Sequence, residues 1–163
     1  MTAEAAAPAE PAERVVLDVL APVTGRVLPL AEVPDPVFSA AMVGPGLAVA
    51  PALAPGTALA PVAGRIVTLH PHAFVIEAGP GRGVLVHLGL DTVQLKGAGF
   101  TLLAAAGDVV TAGQPVIEWD PAEVTAGGRS AACPVVALDA TGSALADLAT
   151  GGITAGALLF RWT

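Results

Sequence analysis

A seven-residue phrase occurs twice in this chain, each time with a glycine just before a short apolar run. Ala21-Pro22-Val23-Thr24-Gly25-Arg26-Val27 returns as Ala60-Pro61-Val62-Ala63-Gly64-Arg65-Ile66, with six of seven positions identical or closely similar. A second, shorter echo relates Val110-Thr111-Ala112-Gly113 to Ile153-Thr154-Ala155-Gly156. In a chain so rich in Ala, Val and Gly, chance competes with duplication as the explanation of that second pair. Repeated strand–turn–strand units suggest an all-β fold, an antiparallel β-sandwich or flattened barrel built by internal duplication. The 19 glycines and 15 prolines agree, because they interrupt the chain too often for a helical bundle.

Residue pattern predicts strands at Val15–Leu20, Gly25–Pro29, Leu47–Pro51, Ala58–Ala60, Gly64–Leu69, Ala73–Glu77, Gly83–Leu88, Pro115–Trp119, Pro134–Leu138 and Ala157–Trp162. Short helical turns are expected after Asp35 and Asp120, where an N-capping aspartate precedes a proline at the first helical position. The alanines of 143–149 allow a third. Residues 1–13 form an Ala/Pro/Glu tail that cannot bury enough apolar surface to offset its ordering entropy. A single domain is therefore expected over 14–163.

Charge narrows the partners. A formal net charge of −7 leaves no basic stripe for phosphates, which excludes a nucleic-acid role and disfavours an anionic membrane surface. An acidic surface would instead steer a basic patch of a protein partner. Cys133 is the only cysteine, so neither an intrachain disulfide nor a thiolate metal cluster can form. The N-terminal residues lack the basic and apolar regions of a signal peptide, and no run reaches about 18 strongly apolar residues. A cytoplasmic monomer is expected.

Three histidines could carry chemistry: His70, His72 and His87. In a strand over Gly83–Leu88, alternation turns Val84, Val86 and Leu88 one way and Leu85 and His87 the other. His87 then stands near the strand end, with Gly89 allowing close backbone approach and Asp91 just beyond. His72 opens the Ala73–Glu77 strand, so the two imidazoles could meet as a cross-strand pair. A neutral imidazole is a competent nucleophile near pH 7, and a second one could stabilise a transferring phosphoryl group. A structural histidine is the competing reading, and residue pattern alone does not separate them.

The stretch Val84-Leu85-Val86-His87-Leu88-Gly89-Leu90-Asp91-Thr92-Val93-Gln94-Leu95-Lys96-Gly97-Ala98-Gly99-Phe100 resembles the active-site signature of glucose-type IIA domains of the bacterial sugar phosphotransferase system. Ala21–Gly25, Val33–Phe38 with Met42-Val43-Gly44, and Ala60–Gly64 before His72-Ala73-Phe74 resemble further family segments in the same order. The resemblance covers about residues 15–163. It implies that His87 accepts phosphate from the phosphohistidine of the carrier protein HPr and passes it to a cysteine on the IIB domain of a sugar permease. His72 would stabilise the phosphoryl group, and Asp35 and Asp91 would flank the site. Val37, Phe38, Val43 and Leu88 would form an apolar docking rim. No cofactor is required, although His72 and His87 could bind zinc shared with a partner. Two departures from the family are His70, where a threonine is usual, and Leu88, where the best-known members have phenylalanine.

Two other readings compete. His70-Pro71-His72 matches the H-x-H element of lysostaphin-type zinc peptidases, whose fold is related, and His87 could complete three ligands. The upstream ligand pair is missing, because no histidine precedes position 70. Gly107–Val116 resembles the strand–turn phrase of biotinyl and lipoyl domains, but Lys96, the only lysine, is not at a suitable hairpin tip. Cys133, Trp119 and Trp162 are expected to pack in the interior.

Overall fold

A computed structural model describes residues 16–163. The expected tail, the domain start at Arg14 and the first residue of the Val15–Leu20 strand lie outside the described residues. In chain order the strands are β1 (Leu17–Leu20), β2 (Gly25–Pro29), β3 (Gly46–Pro51), β4 (Gly56–Leu59), β5 (Gly64–His70), β6 (Ala73–Glu77), β7 (Gly83–His87) and β8 (Phe100–Leu102). They continue with β9 (Val109–Val110), β10 (Pro115–Trp119), β11 (Cys133–Ala137), β12 (Leu145–Ala146), β13 (Gly152–Ile153) and β14 (Leu158–Trp162). An eight-stranded sheet runs β9-β5-β6-β7-β11-β3-β2-β13, and two three-stranded sheets run β4-β10-β8 and β12-β14-β1. Every ladder among the described residues is antiparallel. The all-β, antiparallel expectation is met.

Both sequence echoes are structural. Leu20 N–H donates to the Pro61 carbonyl and Leu59 N–H to the Pro22 carbonyl, each at 2.9 Å, so the two copies of the long phrase bind each other reciprocally. The short echo repeats the relation: Ile153 pairs with Gly25 and Val110 with Gly64. Gly156 N–H reaches the Ala21 carbonyl and Gly113 N–H the Ala60 carbonyl, both at 2.8 Å. Identical hydrogen bonding at corresponding positions argues for duplication of the second pair as well. The glycines are needed for close approach: a Cβ on Gly25 would stand 2.0 Å from the Ala50 carbonyl oxygen, and one on Gly64 would stand 2.2 Å from that of Glu77.

The main core lies against one face of the large sheet, around Phe74, Ile76, Val84, Val86, Leu88, Val49, Phe160 and Ile117. A smaller cluster covers the other face, where Leu30, Val33, Phe38 and Leu90 pack on Ala48 and Val136. β11 is therefore buried on both sides and reads as a continuous apolar run rather than an alternating one. The covering segment contains a 3-10 turn at Leu30–Glu32 and the helix α1 (Pro36–Ser39).

The two proline-started helices form as expected. Asp35 Oδ1 accepts from Val37 N–H at 2.9 Å, and Asp120 Oδ1 accepts from Ala122 N–H at 2.9 Å at the start of α2 (Pro121–Ala126). The third expectation is corrected: 142–144 make one 3-10 turn, and Leu145–Ala146 then joins β14 as a strand. Cross-strand pairing overrides alanine's helix preference there.

Candidate functional site

β7 delivers His87 to the outer face of the large sheet. Val84, Val86 and Leu88 are wholly buried on the inner face, while Leu85 and His87 point outward and are partly buried. That alternation corrects the expected rim: Leu88 has no exposed surface and belongs to the main core, so it cannot be a docking contact. Phe38, expected on the same rim, is also buried and belongs to the smaller cluster; it comes from α1 to meet His87, ring centroids 5.4 Å apart at 59°.

The chain immediately after His87 holds its ring. His87 Nδ1 lies 2.6 Å from the Gly89 carbonyl oxygen. A carbonyl can only accept, so Nδ1 carries the proton and Nε2 of the neutral ring keeps its lone pair. Gly89 adopts φ +76°, and a Cβ there would meet Thr92 Cγ2 at 2.8 Å and the Ser130 carbonyl oxygen at 3.0 Å. Thr92, 1% exposed, donates its hydroxyl to the Leu88 carbonyl at 2.7 Å, and Leu90 N–H donates to Ser130 at 2.9 Å. These bonds fix the turn whose carbonyl orients the imidazole. Thr92 lies within the motif four residues after Leu88, a spacing that lets its hydroxyl reach back to that carbonyl.

His72 does not open a strand. β5 ends at His70 and β6 begins at Ala73, leaving Pro71 and His72 as the hairpin turn. The residue paired with His87 is Ala73, and His72 reaches the site from the turn beside it. Its ring meets His87 edge-on at 5.1 Å and 69°, and stacks on His70 at 5.7 Å and 19°. Gly97 packs behind this turn, where a Cβ would stand 3.4 Å from Pro71 Cγ.

Electrostatics favour neutral rings. Burial pushes the His87 pKa below its ordinary value, against the raising influence of the Gly89 hydrogen bond and the charges of Asp35 and Asp91. His72 is also lowered, by burial first and then by repulsion from His87 and His70. Asp91 occupies a left-handed turn position at φ 57°. A groove of about 530 Å³ beside it is lined by Pro34, Leu90, Asp91, Gln94, Arg129 and Ser130 among others. Val37 is exposed and Val43 is partly buried at the edge of the smaller cluster. Two further exposed apolar residues were not named for the rim: Met42, whose N–H bonds the Val37 carbonyl, and Val93, two residues past Asp91.

Other candidate groups lie outside this chemistry. The three imidazoles contact one another as rings, and among the described residues no three His, Cys, Asp or Glu side chains gather as a metal-ligand set. The three-histidine peptidase site is therefore not assembled. Cys133 is wholly buried, with its thiol pushed up to about 12 by desolvation, so it is no nucleophile. Among the described residues no helix is long and apolar enough to cross a membrane.

Comparison with known proteins accords with this geometry. A family model described as phosphoenolpyruvate-dependent sugar phosphotransferase system, EIIA 1, matches residues 17–142. A glucose-specific EIIA component from Oceanobacillus iheyensis is 41% identical over 120 residues, 74% of this chain and 73% of that protein. An N-acetylglucosamine-specific EIICBA component from Klebsiella pneumoniae is 40% identical over 146 residues, covering 88% of this chain but 22% of that longer protein. The solved glucose permease IIA from Mycoplasma capricolum superposes with a TM-score of 0.84 at 34% identity, covering 91% of this chain and 97% of that one. A family match across most of the described chain, a relative of similar length and a shared β-sandwich converge, and the chain belongs to the EIIA 1 family of the phosphoenolpyruvate-dependent sugar phosphotransferase system.

Proposed function

We propose that this EIIA protein is a cytoplasmic phosphohistidine carrier, with His87 taking the phosphoryl group from phospho-HPr and giving it to the cysteine of a IIB domain. The observation that carries the reading is the Nδ1–H bond from His87 to Gly89, which leaves Nε2 as the free nucleophile. The Nε2 lone pair attacks phosphorus as the bond to the HPr histidine breaks. A IIB thiolate later attacks the same phosphorus and releases His87. The ring gains positive character while phosphorylated, which strengthens its bond to the Gly89 carbonyl and its attraction to Asp35 and Asp91.

His72, with its ring against His87, donates to the phosphoryl oxygens as they pass through the loose transition state. Val37 and Val43, backed by the buried Phe38 ring, offer an apolar surface that excludes water when a partner docks. The acidic flanks suit a basic partner surface. The reaction needs no resident cofactor; zinc shared with a partner would find two imidazole ligands here, His72 and His87, and would need the others from that partner.

The test is labelling with phosphoenolpyruvate, enzyme I and HPr. One acid-labile, base-stable phosphate on His87 is expected, and none in His87→Ala; full labelling of that variant would sink the assignment. His72→Gln should still accept phosphate but lose transfer to IIB.

A further inference from the structure

His70, Ala73 and His87 occupy one row across three adjacent strands. The register pairs His70 of β5 with Ala73 of β6, and Ala73 with His87 of β7. Residues directly opposite in antiparallel strands share a face, so the two histidines stand on the same side with a methyl group between them. His72 turns its ring into that interval, in contact with both neighbours: stacked on His70 at 19° and edge-on to His87 at 69°. No hydrogen bond holds the His72 ring among the described residues. Of its two ring contacts, the near-parallel one is with His70.

We propose that His70 is a positioning residue: its stacked ring holds His72 with an edge toward His87, in the attitude needed to meet a phosphoryl group there. This rests on the carrier reading for its purpose but not for its geometry. A His72 ring without that stack keeps a single ring contact, edge-on with His87, and is freer to rotate about its side-chain bonds. His70 itself is exposed at the strand end, so it can be replaced without opening the core. The titratable groups that act on His72 are His87 from β7 and His70 itself, and those that act on His87 are Asp35 at the start of α1 and Asp91 from the following loop. All but His70 remain in the variants below.

The experiment uses the full chain as wild type, His70→Ala and His70→Phe. Nitrogen-detected NMR of the imidazoles reads His72 directly, without any partner. At a pH where the rings are neutral, His70→Ala should shift the His72 resonances, and His70→Phe, which keeps a stacking ring, should hold them near wild type; the His72 pKa should rise in both, because both remove the repulsion from His70. Unmoved His72 resonances in His70→Ala would overturn the proposal, as would equal shifts in both variants. Transfer from the phosphorylated chain to a IIB domain should fall about 2- to 10-fold in kcat for His70→Ala, with KM unchanged, and recover in His70→Phe. If the wild-type protein takes no phosphate from HPr, the carrier reading fails, and the NMR arm alone still decides the positioning of His72.

Discussion

The two copies of the repeated phrase build the same scaffold, yet only one leads into the histidine site. Gly25 and Gly64 begin β2 and β5, each accepts a short strand from the second echo, and the copies exchange matching hydrogen bonds. They diverge at the far ends. β5 reverses at Pro71–His72 into β6, which pairs with the His87 strand. β2 instead leaves the sheet for the Leu30–Ser39 excursion, which covers the outer face and brings Asp35 and Phe38 to His87. A symmetric framework thus carries an asymmetric site, assembled from the points where the repeats stop resembling each other.

The largest effects should come from the symmetric positions. Gly25→Ala and Gly64→Ala each drive a Cβ into a carbonyl oxygen of the neighbouring strand, 2.0 and 2.2 Å away. Each should cost about 3 kcal/mol or more in urea denaturation, because backbone must shift to relieve the contact. Tolerance of one change but not the other would break the structural equivalence of the repeats.

Next in size is the contrast between the buried side chain that follows His87 and the exposed face of α1 that packs beside it. Leu88→Ala should cost about 2–5 kcal/mol of stability, as expected for a fully buried leucine, without altering partner affinity once the loss is allowed for. Val37→Ala should leave stability within about 0.5 kcal/mol but raise KM for phospho-HPr. A Leu88 variant that folds normally and docks poorly would restore Leu88 to the rim.

Two helix caps sharpen the asymmetry further. Asp35→Ala and Asp120→Ala remove equivalent bonds to Val37 and Ala122, so each should cost about 1 kcal/mol. Of the two changes only that at Asp35 should slow phosphate acceptance, because Asp35 acts on His87 and Asp120 does not. Equal slowing by both would mean that the cap, not the charge, matters.

The smallest expected effect is the pH response. The folded pKa values of His72 and His87 lie below the ordinary 6.5, so the unfolded chain takes up protons first as pH falls. Their contribution to stability is complete above that value, declines as pH drops toward the folded values, and is fully lost below them. The urea midpoint of wild type should therefore fall more steeply below pH 6.5 than that of His72→Gln or His87→Gln. Parallel curves would show that burial does not hold these rings neutral.

Much of the scaffold was legible because its causes are local. Alternation over β7, the aspartate–proline starts at Asp35 and Asp120, and the glycine-marked repeats each follow from neighbours in the chain. The same alternation already placed Leu88 on the face opposite His87, although analogy with an aromatic family position suggested the rim. Short strands such as Leu145–Ala146 were not legible, because two residues carry little pattern and their pairing with Trp162 and Arg161 comes from the far end of the fold.

For His87, sequence alone determined the candidate nucleophile, the glycine after it and the carboxylate of Asp91, since these lie within one continuous motif. Tertiary structure decided which nitrogen is free, through the Gly89 carbonyl, and how His72 arrives, from a hairpin turn rather than along a strand. It also decided that His70 stacks behind His72 and that Phe38 closes the other side. Ring orientation and burial depend on strand register and on segments distant in sequence, and residue spacing does not encode those distances.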